Sequence, residues 1–145
     1  FGGCTSIMSA YNDTRIDAVI GLDAYFLPLP KEIIKKDLNT PFVHLGQVNW
    51  GDSDNYEVMS ELGKSSNREF YHFAIEGSKH NDYTDFSQFT KLTRKFGSGK
   101  ISPKSIRYIM NDVMLGFFDY HLKNRPIFDH NQYQKKYESV KTYVY

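Results

Sequence analysis

The sequence predicts an α/β domain with a mostly parallel sheet between layers of helices. Two observations carry this prediction: short apolar runs rich in β-branched residues, and helix-like segments that alternate with them along the chain. Apolar runs of this kind are typical of strands that are buried on both faces of a parallel sheet. Strands that alternate with helices indicate right-handed crossover units. We expect the order helix, strand, helix, strand, helix, strand, helix, helix.

The first part of the chain contains one predicted helix and two predicted strands. Residues 3–11 have apolar side chains at three- and four-residue spacings, which predicts a helix. Residues 16–22 (IDAVIGL) form a short apolar run and are predicted to be the first strand. A loop with Pro28 and Pro30 follows, and residues 41–49 are predicted to be the second strand.

The middle of the chain repeats this alternation. Residues 32–36 fit a short helical turn, and residues 56–62 fit a helix for which Gly63 is the expected carboxy-terminal cap. Residues 69–75 (EFYHFAI) are predicted to be the third strand. Residues 86–96 are predicted to form one helix that ends before two glycines.

The longest predicted helix begins after Ser102, a favourable N-cap, and has Pro103 at its first position. It ends at about Asn124, and its apolar stripe predicts that it covers one face of the sheet. That stripe consists of Ile106, Ile109, Met110, Val113, Met114 and Phe117. Residues 126–145 are polar with spaced tyrosines, and we expect a carboxy-terminal tail that is either ordered against the core or wrapped around a partner.

Composition narrows the class of protein. The chain has 145 residues, 16% of them aromatic, which argues against intrinsic disorder. Its formal net charge of +1 gives no electrostatic reason to expect nucleic acid as a partner. Cys4 is the single cysteine, so an intrachain disulfide and a cysteine-based metal cluster are excluded. No pair of histidines has ligand spacing with a carboxylate nearby, so we expect no metal site.

Polar side chains follow each predicted strand. Asp23 follows the first strand, Asp52 and Asp54 the second, and His80 the third. Reactive groups of open α/β sheets lie in loops at the carboxyl ends of strands. An aspartate and a histidine placed there can form the orienting pair of a hydrolytic triad, in which the carboxylate fixes the imidazole that deprotonates a nucleophile.

The opening residues fit the end of a nucleophile turn. In the motif G-x-S-x-G, the serine lies on a tight turn between a strand and a helix, and the triad order is nucleophile, acid, base. Phe1 and Gly2 would occupy the fourth and fifth positions, and Gly3 is a further small residue at the helix start. The serine would then immediately precede Phe1. We therefore expect an amino-terminal segment to accompany this chain, which alone should be inactive.

Three stretches together resemble the platelet-activating factor acetylhydrolase family, plasma or intracellular type II. They are FGGCTS, which is similar to the residues after the nucleophile serine, IGLDAYFLPLP, similar to the acid-bearing segment, and EGSKHNDYTDF, similar to the histidine loop. The resemblance covers roughly residues 1–122. It weakens around Trp50, and no convincing similarity is seen beyond Pro126.

The resemblance implies an α/β-hydrolase fold of which residues 1–125 are the carboxy-terminal half. It implies calcium-independent release of short or oxidised acyl groups from the sn-2 position of phospholipids, without a cofactor. By position, Asp23 is the implied acid, His80 the implied base, and the backbone N–H of Phe1 one oxyanion donor. The second donor would come from an earlier loop. Asp52 or Asp54 remains the alternative acid.

Several other side chains have either a role at the site or a structural role. Tyr25, Phe26 and Trp50 either line an acyl pocket or pack in the core. Asp85 either braces the histidine loop or caps the helix that follows it. His44 and His72 lie inside strands, and we expect both to be packed and hydrogen-bonded.

Alternative functions also remain open. The alternatives are an α/β hydrolase for other carboxylic esters, such as polyesters or small soluble esters, and a non-catalytic binding module. A lipid surface is a further candidate partner. The sequence predicts no compartment.

Overall fold

The structure is a computed structural model that describes residues 1–51, 54–89 and 91–145. The amino-terminal part contains α1 (Gly2–Asn12), β1 (Val19–Leu22), α2 (Lys31–Ile34), β2 (Phe42–Gln47), α3 (Asp54–Lys64) and β3 (Phe70–Ile75). The remainder contains a 3₁₀ turn (His80–Tyr83), α4 (Phe86–Phe89), a second 3₁₀ segment (Lys91–Phe96), α5 (Pro103–Lys123), α6 (His130–Lys136) and β4 (Val140–Val144).

The described strands form one mostly parallel sheet in the order β1-β2-β3-β4. β1, β2 and β3 run parallel, as the sequence predicts, while β4 pairs antiparallel with β3. The register places Leu22 opposite Leu45, and Gln47 opposite Ile75. The carboxyl ends of the three parallel strands therefore lie at the same edge of the sheet.

Helices cover both faces of this sheet, because successive strand side chains point to opposite sides. One core contains Phe42 and Phe70 from the strands and is covered by α1, α2 and α3. The other contains Val43 and Phe73 and is covered by α5 and α6. The apolar stripe of α5 is buried there, as expected. Among the described residues, no helix is both long enough and apolar enough to cross a bilayer.

Residues 126–145, expected to be a tail either ordered against the core or wrapped around a partner, are ordered against the core and contain α6 and β4. β4 is the fourth strand of the same sheet, with Val140 opposite Ile75. Its spaced aromatic residues hold this segment against the core: Phe128 and Tyr133 are both under a tenth exposed and pack against Phe73.

Two helix boundaries also differ from prediction. Gly63 does not cap α3 but lies within it, because its missing side chain admits Tyr145 and Phe70, which would approach an added Cβ to 2.7 and 3.1 Å. The helix expected over residues 86–96 is only α4, followed by a 3₁₀ segment. Phe89 and Phe96 are 78% and 67% exposed, so these two rings bury little apolar area that would stabilise a longer helix.

The amino end of α5 agrees with the sequence. Ser102 accepts a hydrogen bond from the Ser105 amide at 3.0 Å, and Pro103 is the first helical residue. Asn124 ends the helix in the left-handed conformation, with φ of 52°. Local signals were sufficient here because the cap and the proline act within one helical turn.

Candidate active site

Three polar side chains meet at the edge where the parallel strands end. Asp23 directly follows β1, Gln47 is the last residue of β2, and His80 begins the 3₁₀ turn after β3. Loops at this edge of an α/β sheet are the usual position of ligand and catalytic sites. The site is therefore built by strand order and register rather than by closeness in the sequence.

Asp23 is held in one orientation by the end of β2. Its Oδ1 accepts the Gln47 backbone N–H at 2.9 Å, and its Oδ2 accepts the Gln47 side-chain amide at 3.0 Å. Its own backbone N–H donates to the Leu45 carbonyl at 2.6 Å. The residue is 1% exposed and has φ of 45°, a left-handed conformation that aspartate tolerates better than most residues. These donors offset the cost of burying the carboxylate.

His80 completes the pair. Its Nδ1 lies 2.9 Å from Asp23 Oδ2, while its side chain is 61% exposed. A carboxylate acceptor favours the tautomer with the proton on Nδ1, which leaves Nε2 free of a proton. The ring is thus arranged to accept a proton at Nε2.

The loop that carries His80 is braced by the carboxylate of Asp82, for which the sequence predicts no role. Asp82 is 2% exposed and accepts backbone N–H groups from Lys79 at 2.9 Å and Gly99 at 2.6 Å. Asp85, the expected brace or cap, is exposed, and the Phe86 amide donates to the Thr84 hydroxyl. An aspartate two residues after a histidine was the available signal, but spacing alone does not distinguish a brace from a surface residue.

A second bond in this loop joins Ser78 and Tyr83, whose side-chain oxygens lie 2.8 Å apart. The Ser78 hydroxyl also donates a hydrogen bond to the Ile75 carbonyl at 2.7 Å. Burial raises the pKa of Tyr83 well above its ordinary value, and the nearby Asp23 carboxylate acts in the same direction. Tyr83 therefore stays neutral and supports the loop by packing and hydrogen bonding.

An open cavity of about 770 Å³ lies over the pair. Tyr25 and Trp50 form part of its wall; their rings stack at 5.4 Å, and Trp50 contacts the His80 ring edge-on at 5.8 Å. Phe26 does not line the cavity, contrary to one interpretation of the sequence. It is fully buried against His44 and Phe42, because the chain turns inward after Tyr25.

The start of α1 faces the same cavity. Phe1, Gly2 and Gly3 line it together with His80. An added Cβ at Gly3 would lie 2.3 Å from the Cβ of Ala24, so only glycine allows α1 to pack this closely on the segment after Asp23. The backbone at Phe1 and the Asp23–His80 pair therefore belong to one site.

Of the two alternative acids, Asp54 lies within the described residues and Asp52 does not. Asp54 is the first residue of α3 and is exposed. His80 instead contacts Asp23 at hydrogen-bond distance. Within the described residues, no three His, Cys, Asp or Glu side chains converge in a way that could hold a metal ion.

Two further residues, which hold Asp23 and the segment after it, were not indicated by the sequence. Asn55 is fully buried; its Oδ1 accepts the Phe26 amide at 2.6 Å and its Nδ2 donates to the Ala24 carbonyl at 3.1 Å. Gln47, described above, is the other. Only the register of β2 against β1 reveals Gln47, and no local signal distinguishes Asn55 from a turn-forming residue.

The chain is similar to known proteins in both its sequence and its fold. A sequence model of the family "Platelet-activating factor acetylhydrolase, isoform II" matches residues 1–143, which extends the similarity well past Pro126. The platelet-activating factor acetylhydrolase of Gallus gallus is 27% identical over 132 residues, and that of Canis lupus familiaris is 28% identical over 132 residues. Each match covers 89% of this chain but only 31% and 29% of the respective relative.

A solved structure described as a ferulic acid esterase from Streptomyces cinnamoneus shares the fold. Its TM-score is 0.76 at 22% identity, over 97% of this chain and 44% of that protein. The fold is thus the α/β-hydrolase fold expected from the sequence. Since the family model covers nearly the whole sequence, the chain belongs to the platelet-activating factor acetylhydrolase, isoform II family.

Proposed function

We propose that the protein carrying this chain is a serine carboxylic ester hydrolase, with Asp23 and His80 as the acid and base of its triad. The observation that carries the proposal is the 2.9 Å contact between His80 Nδ1 and the buried carboxylate of Asp23, at the edge of the sheet where α1 begins. Membership of an acetylhydrolase family supports it.

The proposed reaction proceeds by acyl transfer. A serine immediately before Phe1 attacks the ester carbonyl, and His80 Nε2 takes the serine proton while Asp23 stabilises the resulting imidazolium. The backbone N–H of Phe1 donates to the tetrahedral oxyanion, with a second donor from an earlier segment of the protein. His80 then protonates the leaving alcohol and activates a water molecule that hydrolyses the acyl-enzyme. Every proton transfer uses His80, so the scheme requires neither calcium nor a cofactor.

The proposed substrate is a phospholipid with a short or oxidised sn-2 acyl group. Two curated relatives carry the name platelet-activating factor acetylhydrolase, which supports this class. The cavity wall includes Ile20 and Leu22 beside the Tyr25–Trp50 pair, an apolar lining suited to a short acyl chain.

A lipid surface is proposed as the partner of the region after His80. Phe89, Leu92 and Phe96 are 78%, 57% and 67% exposed in one short segment that follows the histidine loop. Exposed apolar side chains grouped in this way favour contact with an apolar partner.

The second candidate function is hydrolysis of another ester, such as an aromatic one. The observation in its favour is the stacked Tyr25–Trp50 pair in the cavity wall, since aromatic rings also stack well on an aromatic acyl group. The ferulic acid esterase with the same fold is consistent with this alternative.

A fluorophosphonate probe and a substrate series on the full natural polypeptide test both candidates. The series contains phosphatidylcholines with sn-2 chains from acetyl to palmitoyl, methyl ferulate and p-nitrophenyl butyrate, each assayed with and without EGTA. We expect the probe to label the serine before Phe1, and kcat/KM to fall steeply with sn-2 length and to be unaffected by EGTA. Hydrolysis of methyl ferulate without phospholipid turnover supports the second candidate. Absence of both labelling and turnover overturns the esterase proposal in favour of a binding module.

A further inference from the structure

Two buried histidines lie beneath the site without a role in the proposed reaction. His44 on β2 and His72 on β3 are register partners, with ring centroids 5.0 Å apart. They are 0% and 4% exposed. His44 Nε2 accepts the backbone N–H of Ala24 at 3.0 Å, whereas His72 Nε2 has no hydrogen-bond partner among the described residues. His44 Nδ1 is likewise buried without a partner among the described residues, so His44 is packed and hydrogen-bonded through Nε2 alone.

The hydrogen bond from the Ala24 N–H to His44 fixes the peptide that directly follows Asp23. The backbone of Asp23 itself is in the left-handed conformation, with φ of 45°. Conformations of this kind are strained in residues other than glycine and persist only where surrounding contacts enforce them. The Ala24 N–H is held by His44, and the Ala24 carbonyl is held by Asn55.

Ala24 is also where the acid and the start of α1 meet. Its Cβ would lie 2.3 Å from a Cβ added at Gly3, so Ala24 packs directly on the backbone of α1. A shift of Ala24 would rotate the Asp23 carboxylate away from Gln47 and His80, its two partners.

We infer that His44 is a positioning residue: its neutral imidazole accepts the Ala24 N–H and so sets Asp23 in the orientation that holds His80. This inference rests on the proposed function for its catalytic consequence. The required chemistry is a hydrogen-bond acceptor at the position of Nε2, since a protonated imidazole has only donors. Nothing else about a histidine is needed.

The surroundings favour the neutral ring. His44 contacts Phe26 from the loop after β1, Tyr56 from α3 and His72 from β3, at centroid distances of 5.1, 5.9 and 5.0 Å. Burial lowers the pKa of His44 well below its ordinary value, and the neighbouring His72 acts in the same direction. Burial raises the pKa of Tyr56, with the Asp23 carboxylate adding to the effect, so Tyr56 stays neutral.

The test separates the acceptor from the ring. His44→Phe keeps an aromatic ring in the packed position but removes the acceptor, and His44→Gln restores an acceptor near the position of Nε2 without the ring. His72→Phe is the matched control, because it changes the neighbouring buried ring without touching Ala24. All three are made in the full natural polypeptide and compared for kcat, KM and the downfield proton resonance of His80 Nδ1–H.

We expect His44→Phe to lower kcat by about 10²-fold with little change in KM, since a displacement of about 1 Å at the acid is sufficient. It should also weaken or remove the His80 resonance. His44→Gln should recover most of kcat and the resonance, and His72→Phe should retain both. The inference is overturned if folded His44→Phe keeps wild-type kcat and resonance, or if His44→Gln is as impaired as His44→Phe.

Two further outcomes remain informative. If His44→Phe does not fold, His44→Gln decides alone: retained kcat and resonance support the inference, and their loss overturns it. If the wild-type protein hydrolyses no ester, the proposed function fails, but the His80 resonance still reports whether His44 sets Asp23. Failure of the function and failure of the inference are therefore distinguishable.

Discussion

Asp23 and His80 lie 2.9 Å apart, yet the side chain of Asp23 is completely buried and that of His80 is 61% exposed. Asp23, the proposed acid, is enclosed by groups from two other elements: Gln47 at the end of β2 binds its carboxylate, and His44 and Asn55 bind the next residue. His80, the proposed base, lies on a short 3₁₀ turn. Its loop is stabilised by Asp82, whose carboxylate accepts two backbone N–H groups.

The difference shows two ways to position a reactive side chain. Several contacts from different elements determine the orientation of Asp23, so each contributes only part of it. Within the described residues, His80 is positioned by one bond to Asp23, an edge contact with Trp50 and the brace of its loop through Asp82. In this arrangement the His80 ring stays accessible from solvent while the Asp23 carboxylate is shielded from it.

The largest expected effect is the loss of kcat when Asp23 is replaced. Asp23→Asn keeps the shape of the side chain but replaces one acceptor oxygen with an amide donor, which cannot accept the proton of His80 Nδ1. We expect kcat to fall by roughly 10⁴-fold, the size of loss seen when a triad aspartate becomes asparagine and the histidine adopts the wrong tautomer.

Steady-state ester hydrolysis by the full natural polypeptide measures this effect, and a thermal melt serves as the control for folding. A fall of less than about tenfold would show that Asp23 does not orient the base, because no other group at hydrogen-bond distance from His80 Nδ1 is seen in the described structure.

The next largest effect is the loss of stability when Asp82, which braces the His80 loop, is replaced. Asp82→Ala leaves the amides of Lys79 and Gly99 buried without a partner. Hydrogen bonds to a charged group contribute about 1.5–3 kcal/mol each, so we expect a loss of about 3–6 kcal/mol in the free energy of unfolding. The turn that carries His80 should loosen, and kcat should fall as well.

Urea denaturation measures the stability change, with Asp85→Ala as the matched control. Asp85 is exposed, so its replacement should change stability by no more than about 0.5 kcal/mol. Equal effects of the two substitutions would contradict the assignment of Asp82 as the brace of the loop.

A third effect concerns pH and the buried pair beneath the acid. Burial lowers the pKa of His72 to about 4, whereas an unfolded histidine titrates near its ordinary value of 6.5. Between these values the unfolded chain binds more protons, so stability is fully present above 6.5 and is lost as the pH falls towards 4. The shift corresponds to roughly 3 kcal/mol.

Unfolding free energies at pH 7 and pH 4 for the wild type, His72→Phe and His72→Gln measure this dependence. Both variants lack the titrating ring, so both should lose less stability on acidification than the wild type, whatever their stability at pH 7. His44 still contributes in the same direction, so the dependence becomes weaker without disappearing. An unchanged pH dependence in both variants would exclude His72 as its source.

The smallest expected effect separates the candidate acids. Asp54→Asn removes an exposed carboxylate at the start of α3, where a negative charge stabilises the helix by about 0.3–1 kcal/mol. We expect kcat to stay within about twofold of the wild type, because surface substitutions away from a site have small effects. A loss comparable with that of Asp23→Asn would make Asp54 the acid.

Local signals in the sequence were sufficient for most of the fold. The alternation of apolar strands with helices, the Ser102–Pro103 start of α5 and the positions of Asp23 and His80 after strands were all readable, because periodicity and capping act over a few residues. The segment after Pro126 was not readable in this way, since β4 is stabilised by pairing with β3 rather than by its own pattern.

The site itself depended on tertiary structure to a greater degree. Asp23 and His80 are 57 positions apart, and the sequence allowed other aspartates in the same role. Phe26 and Trp50 had the same interpretation from sequence, yet one is in the core and the other in the cavity wall. The roles of Gln47, Asn55 and Asp82 as hydrogen-bond partners could not be read from local spacing.

The sequence by itself determined the parallel α/β architecture and the residue types available where its strands end. Only the tertiary structure decided which carboxylate meets the imidazole, which residues hold that carboxylate, and which aromatic side chains face the cavity. The physical reason is one of range: strand period, turns and caps are set by neighbours along the chain. Strand register and the packing of helices on each face are set by burial and hydrogen bonding between distant segments.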